Sequence, residues 1–195
     1  VGVSDRFMET LKRGGDWDLQ WGGKIYKTVK AQYLWDLITE SAHASGEPGC
    51  VFMERANKES NTWYFENIVC VNPCGEQPLP AWGVCNLGSI NLAVFAEEGE
   101  IQWEKLGQTI NISIRLMDNV IDGTPYAFEE NRKAQMNVRR IGLGTMGLAD
   151  FFLKLKMRYG SSDSIKLARE VYRLIRDESY RASVELAREK GAFPA

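Results

Sequence analysis

The sequence has one histidine, His43, among 195 residues. A Ser-His-Asp triad or a histidine-based zinc site would have to use it. His43 lies in Ser41-Ala42-His43-Ala44-Ser45, at the end of an expected helix, where a last-turn histidine suits the helix dipole. A basic excess is also missing. With 24 Lys+Arg against 26 Asp+Glu the net charge is −2, too little positive charge for a nucleic-acid footprint. No apolar run approaches the roughly 18 residues of a membrane span, and no basic-then-apolar targeting segment opens the chain; a cytoplasmic protein without a membrane partner is expected. No C-x-x-C pair occurs among the four cysteines at 50, 70, 74 and 85. A zinc module is therefore weakly signalled, no metal site is expected, and a structural disulfide is not expected without a secretory signal. An initiator Met is absent, and the chain stops at Gly191-Ala192-Phe193-Pro194-Ala195 just past a long expected helix, so a piece of a larger protein is expected.

What is present is a globular composition, 44% hydrophobic and 26% charged. Ser4 or Asp5 can cap a first helix carrying Phe7, Met8 and Leu11, and residues 17–27, with Gly22-Gly23, suggest a small hairpin. A second helix is expected from about Ala31 to Ser45, stopped by Gly46 and Pro48. Cys50–Met53 and Ile68–Val71 look like strands, with a polar turn at Asn57–Asn61 between them. Trp103, Leu106, Ile110, Ile114, Met117, Val120 and Ile121 fall at helical spacing, closed by Gly123 and Pro125. Val138–Ile141 reads as a strand, Met146–Lys156 as a helix, and about Ser162 to Lys190 as a long final helix. Alternating strands and helices give the α/β class.

Gly142-Leu143-Gly144-Thr145-Met146-Gly147 has the G-x-G-x-x-G spelling. A dinucleotide fingerprint also needs a second strand ending in an acidic residue about 20 positions on. Asp163 and Glu170 lie instead in a helical pattern, so tight strand-to-helix packing is the favoured reading. Cys50 and Cys70 read as small apolar side chains in a core.

The densest chemistry lies between Asn72 and Gly83, where Pro73, Gly75, Pro78, Pro80 and Gly83 exclude a regular helix and mark an ordered loop. Pro73 biases Asn72 toward extended geometry, and in an extended segment Asn72, Cys74 and Glu76 would share one face. That set offers an amide, a thiol and a carboxylate without a histidine base, which favours thiol chemistry other than that of a conventional cysteine protease.

Asn72-Pro73-Cys74-Gly75-Glu76-Gln77-Pro78-Leu79, followed by Cys85-Asn86-Leu87-Gly88-Ser89-Ile90-Asn91-Leu92, closely resembles the catalytic segment of ribonucleotide reductase large subunits. Arg139–Asp150, Gly46-Glu47-Pro48-Gly49 and Gly191-Ala192-Phe193-Pro194 resemble further stretches of that family, so the likeness covers essentially the whole chain. The N-P-C-G-E-Q-P-L wording is most similar to the adenosylcobalamin-dependent class II enzymes. The resemblance implies that residues 1–195 are a fragment of a ten-stranded α/β barrel domain, with the catalytic cysteine on an inner loop. It implies reduction of ribonucleotides to 2′-deoxyribonucleotides by a thiyl radical on Cys74, with Glu76 taking the 3′-hydroxyl proton in a poorly solvated site. Asn72 would bond the reacting sugar hydroxyls, and Asn72, Pro73, Cys74, Gly75 and Glu76 together would line the substrate. Cys85 would be one of two redox-active cysteines, its partner lying outside this stretch. Adenosylcobalamin is the implied cofactor. A ribonucleotide substrate, a deoxynucleotide effector, a thioredoxin-like reductant and a second copy of the chain in a homodimer are the implied partners. Two alternatives remain: the same reaction with a separate radical-generating subunit, and a non-catalytic nucleotide-binding or interaction fragment. The isolated fragment is expected to be inactive.

Overall fold

A computed structural model of the protein describes every residue from Val1 to Ala195. The chain divides into two compact units, Val1–Ala81 and Trp82–Ala195, the boundary falling in the proline-rich stretch. No helix is long and apolar enough to cross a membrane.

In the first unit a short strand β1 (Gly2–Val3) leads into helix α1 (Asp5–Lys12). The Ser4 hydroxyl caps this helix by accepting from the Phe7 N–H at 3.1 Å, as a serine before an apolar run should. Strands β2 (Asp16–Trp21) and β3 (Lys24–Lys30) form the expected hairpin. Its two turn residues, Gly22 and Gly23, take φ of 56° and 79°, which only glycine adopts without strain. Helix α2 (Ala31–Ser45) ends where Gly46 turns left-handed and donates to the Ala42 carbonyl at 2.8 Å. Val3, Phe7 and Ala31 form the buried centre, with Trp17, Leu34, Trp35, Cys50 and Phe52 packed around it.

Strand β4 (Val51–Phe52) pairs parallel with β1 and is shorter than expected, because helix α3 (Met53–Glu59) begins at Met53. The polar turn expected at Asn57–Asn61 is thereby corrected: Asn57 to Glu59 are helical. The Asn57 side chain donates to the carbonyls of Met53 and Ile68 and accepts from the Ile68 N–H at 2.7 Å. A residue type that ordinarily favours turns thus ties α3 to strand β5 (Ile68–Val71). Strand β5 pairs antiparallel with β6 (Pro78–Pro80), and the candidate catalytic segment is the loop between them.

The second unit runs from β7 (Asn86–Asn91) through a 3-10 turn at Leu92–Phe95 and a small hairpin, β8 (Ala96–Glu97) with β9 (Glu100–Ile101). Helix α4 (Trp103–Gly123) follows, then α5 (Glu129–Val138), β10 (Ile141–Met146), α6 (Leu148–Lys154) and α7 (Ser162–Lys190). Leu106, Ile110, Ile114 and Met117 of α4 pack with Val171, Ile175, Ala182 and Leu186 of α7 and with Phe151 and Phe152 of α6. The strand expected at Val138 is corrected: Val138 closes α5 and the strand starts at Ile141. Helix α5 has no apolar stripe to betray it, since Gln135 is its one buried residue. Strand β10 pairs parallel with β7 over six positions, Ile141 opposite Asn86 through Met146 opposite Asn91. The class is α/β. The ten strands form five two-stranded pairs, and no closed barrel arises within residues 1–195.

A charge cluster fixes where β10 starts. Arg139, in the left-handed region at φ 46°, donates through Nε to Asp118 at 2.7 Å and through Nη1 and Nη2 to Asp122 at 2.8 and 2.9 Å. Lys190 at the end of α7 donates to Asp118 at 2.6 Å and to Asn119 at 2.8 Å. Burial pushes the Asp118 carboxyl upward, but the hydrogen bonds from Arg139 and Lys190 outweigh it and hold it below the ordinary carboxylate range. The hydrogen bond from Arg139 likewise lowers Asp122. A depressed folded-state pKa stabilises above the unfolded value, near pH 4, and that contribution is lost as pH falls through the folded value. Arg139→Leu would leave a buried carboxylate short of its main partner, and a loss of roughly 3 kcal/mol is expected in denaturant unfolding of the full-length protein at neutral pH. The deficit should shrink toward pH 3. A pH-independent deficit would place the effect in side-chain packing instead.

Candidate active site

The extended geometry expected for Asn72-Pro73-Cys74-Gly75-Glu76 is not what forms. The Gly75 N–H donates to the Asn72 carbonyl at 2.7 Å, closing a tight turn, and the Asn72 N–H donates to the Gln77 carbonyl at 2.9 Å, closing the hairpin loop. Pro73 sits at the second turn position, which its fixed φ suits, and Gly75 takes φ 80°. Pro73 restricts only Asn72, the first turn position, and the chain reverses at Pro73 and Cys74, so Cys74 and Glu76 do not continue an extended run. Cys74 occupies the exposed corner. The Glu76 carboxylate folds back and accepts from the Cys74 backbone N–H at 3.1 Å. The five residues are thus brought together, by the turn and not by alternation along a strand. Glu76 is exposed, so the poorly solvated setting expected for it is not built by residues 1–195.

Of the cysteines expected to be structural, Cys50 is half-buried beside the first unit's core. Cys70 is not: it is exposed on β5, its thiol 3.5 Å from the Leu79 carbonyl. Strand β5 pairs only with β6, and Ile68 is its one fully buried residue.

Cys85 lies in the second unit, one residue before β7. Alternation divides the β7–β10 pair into two faces. Gly88, Ile90, Ile141 and Leu143 face the helices, with Met117 against Gly88, and the Asn86 amide donates to the Met117 carbonyl at 2.7 Å. The other face carries Cys85, Leu87 and Ser89, opposite Gly142 and Gly144. The thiol of Cys85 is 3.3 Å from the place a Cβ on Gly142 would occupy, which puts it on this side. Gly142 and Gly144 belong to the strand, and Gly147, at φ 71°, leaves the space filled by the Asn91 side chain and Ala93. The glycine motif is used for close packing of β10 and α6 onto β7. The function of Arg139 as a charge hub was missed in the sequence; the i, i+4 pair Asp118 and Asp122 on α4 was the available signal.

In the second unit a helix-backed parallel strand pair carries the Cys85 thiol on its open face; in the first unit a turn presents Cys74 and Glu76. The chain matches the family described as ribonucleotide reductase, barrel domain, over residues 1–195, and it belongs to that family. It is 40% identical over 197 residues to a vitamin B12-dependent ribonucleoside-diphosphate reductase of Mycobacterium tuberculosis (strain CDC 1551 / Oshkosh), an alignment covering 100% of this chain and 28% of that relative. It is 38% identical over 198 residues to the enzyme of the same name from Thermoplasma acidophilum, covering 100% of this chain and 26% of the relative. Identity to the ribonucleoside-diphosphate reductase subunit alpha of Chlamydia pneumoniae is 34% over 174 residues, 87% of this chain and 17% of the relative. The chain thus spans little more than a quarter of the length of the two vitamin B12-dependent relatives and less than a fifth of the third.

Proposed function

We propose that the protein to which residues 1–195 belong, as part of its catalytic barrel domain, reduces ribonucleoside diphosphates to 2′-deoxyribonucleotides through a thiyl radical on Cys74. The observation that carries this reading is the turn at Asn72–Glu76, which exposes the Cys74 thiol at its corner and holds the Glu76 carboxylate against the amide of the same residue. The Cys74 sulfur takes the hydrogen atom from C3′ of the ribose. Glu76 accepts the 3′-hydroxyl proton, Asn72 bonds the sugar hydroxyls, and the 2′-hydroxyl leaves as water. Cys85 and a second thiol of the longer protein supply two electrons and become a disulfide, after which Cys74 returns the hydrogen atom to C3′. The sum is ribonucleotide plus two thiols to deoxyribonucleotide, disulfide and water. Pro73 and Gly75 shape the floor against which the ribose lies.

The names of the relatives from M. tuberculosis and T. acidophilum carry vitamin B12, and adenosylcobalamin is the cofactor proposed for the longer protein. Cobalamin brings its own corrin ligands to the cobalt, so this chain would contribute at most one axial side chain, and none of its residues is assigned to that place. The single imidazole, His43, is exposed on the last turn of α2. No step of this chain's chemistry is routed through that group. A deoxynucleotide effector, a thioredoxin-like dithiol reductant, a homodimer and a cytoplasmic location complete the proposal. The test is an assay of the purified full-length protein with a ribonucleoside diphosphate, dithiol and adenosylcobalamin. Deoxynucleotide formation that requires the cobalamin and no second protein is expected. Activity only on adding a radical-generating subunit would replace the cofactor assignment, and nucleotide binding with no turnover under either condition would make the fragment a binding module.

A further inference from the structure

Gly142 faces Leu87 across the parallel pair, on the strand face that carries Cys85. A Cβ at Gly142 would lie 2.6 Å from Leu87 Cδ2 and 3.3 Å from Cys85 Sγ. Both are inside the usual carbon contact distance of about 3.5–4.0 Å, but they differ in cost. Leu87 is 53% exposed, and the atom concerned is the end of a flexible side chain that can swing into open space. The sulfur is bonded directly to Cβ, one residue before β7, and only rotation about the Cα–Cβ bond can move it away. Gly144, two positions along on the same face, has no such demand: a Cβ there would meet Ser89 Oγ at 3.6 Å and the Gly88 carbonyl at 3.7 Å, ordinary contacts.

We propose that Gly142 is a positioning residue for Cys85, its missing side chain being the space the thiol needs to adopt the rotamer from which it joins a second sulfur. The inference rests on the assignment of Cys85 to electron delivery. Disulfide formation requires the sulfur to reach about 2.05 Å from its partner with a narrow dihedral range, so crowding on one side of Cys85 slows this step while leaving hydrogen-atom transfer at Cys74 untouched.

The test uses the full-length protein, pre-reduced and free of external dithiol, in a single turnover. G142A is expected to lower product formation about tenfold or more, with 3′-hydrogen exchange within about twofold of the parent. The rate of alkylation of Cys85 should change about threefold or more. G144A and L87A should match the parent in all three measurements, and the double variant G142A/L87A should keep the defect of G142A. Restoration of parental rates by L87A would mean that Gly142 serves only Leu87 and would overturn the proposal, as would equal defects in G142A and G144A. If G142A folds poorly, thermal melting of G142A in a C85A background gives the answer: a smaller loss of Tm than in the Cys85 protein is expected, and an equal loss overturns the idea. Product formation by C85S at the parental rate would instead overturn the assignment of Cys85 itself, which keeps the two failures apart.

Discussion

Cys74→Ser in the full-length protein is expected to lower deoxyribonucleotide formation by at least about a hundredfold, roughly 2.7 kcal/mol in the barrier, with substrate affinity little changed. The turn that holds residue 74 depends on Pro73, on Gly75 at φ 80° and on two backbone hydrogen bonds closed by Asn72. None of these uses the Cys74 side chain, so serine should leave the loop intact. The Glu76 carboxylate contacts the residue 74 backbone N–H, which serine keeps as well. What is lost is the sulfur–hydrogen bond, which is weak enough to break and re-form within a catalytic cycle; an oxygen–hydrogen bond is not. Equilibrium binding of a ribonucleoside diphosphate and turnover, measured on the same preparation, separate the two effects. Turnover above about a tenth of the parent would remove Cys74 from the radical role, while loss of both binding and turnover would show that the loop itself depends on the thiol.

Much of the fold was legible where local signals and burial agreed. Helices α2 and α7 have the bounds expected from their apolar spacing, and Gly46 stops α2 with the left-handed geometry that glycine supplies. Where a signal was purely local the reading slipped. Helix α5 buries only Gln135 and therefore has no apolar period to find, and its end at a left-handed Arg139 is set by acidic partners 17 and 21 residues away. The polar run at Asn57 looked like a turn because the bonds that hold it in a helix reach forward to Ile68, 11 residues on. At the candidate site the residue identities were legible and their geometry was not. Pro73 restricts Asn72 alone and leaves open the path of Cys74 to Glu76, which the antiparallel pairing of β5 with β6 bends into a hairpin loop. The two faces of β7 were likewise hidden: the glycines at 142 and 144 pointed to close packing, but not to the strand they pack against, which the parallel pairing of β10 with β7 supplies.

Cys85→Ser should separate hydrogen transfer from reduction, with product per enzyme falling about a hundredfold and exchange at the substrate 3′ carbon remaining within a few-fold of the parent. The expectation follows from where the two thiols sit. Cys74 is on the loop joining β5 and β6, while Cys85 precedes β7 on the strand face opposite Met117 and the helices. Different elements hold them, so substitution of one leaves the backbone around the other unaltered. Serine is nearly isosteric with cysteine and places a smaller oxygen beside Gly142, so the crowding limit at that glycine is not exceeded. Without a thiol at 85 no disulfide can form there, and the proposed source of the two electrons needed after the 2′-hydroxyl leaves is gone. Substrate radicals formed at Cys74 can then only return or decay. Isotope release from 3′-labelled substrate, read beside product yield, decides the matter: loss of exchange as complete as in the Cys74 variant would make Cys85 part of the radical step, and undiminished product would move electron delivery to another pair of cysteines.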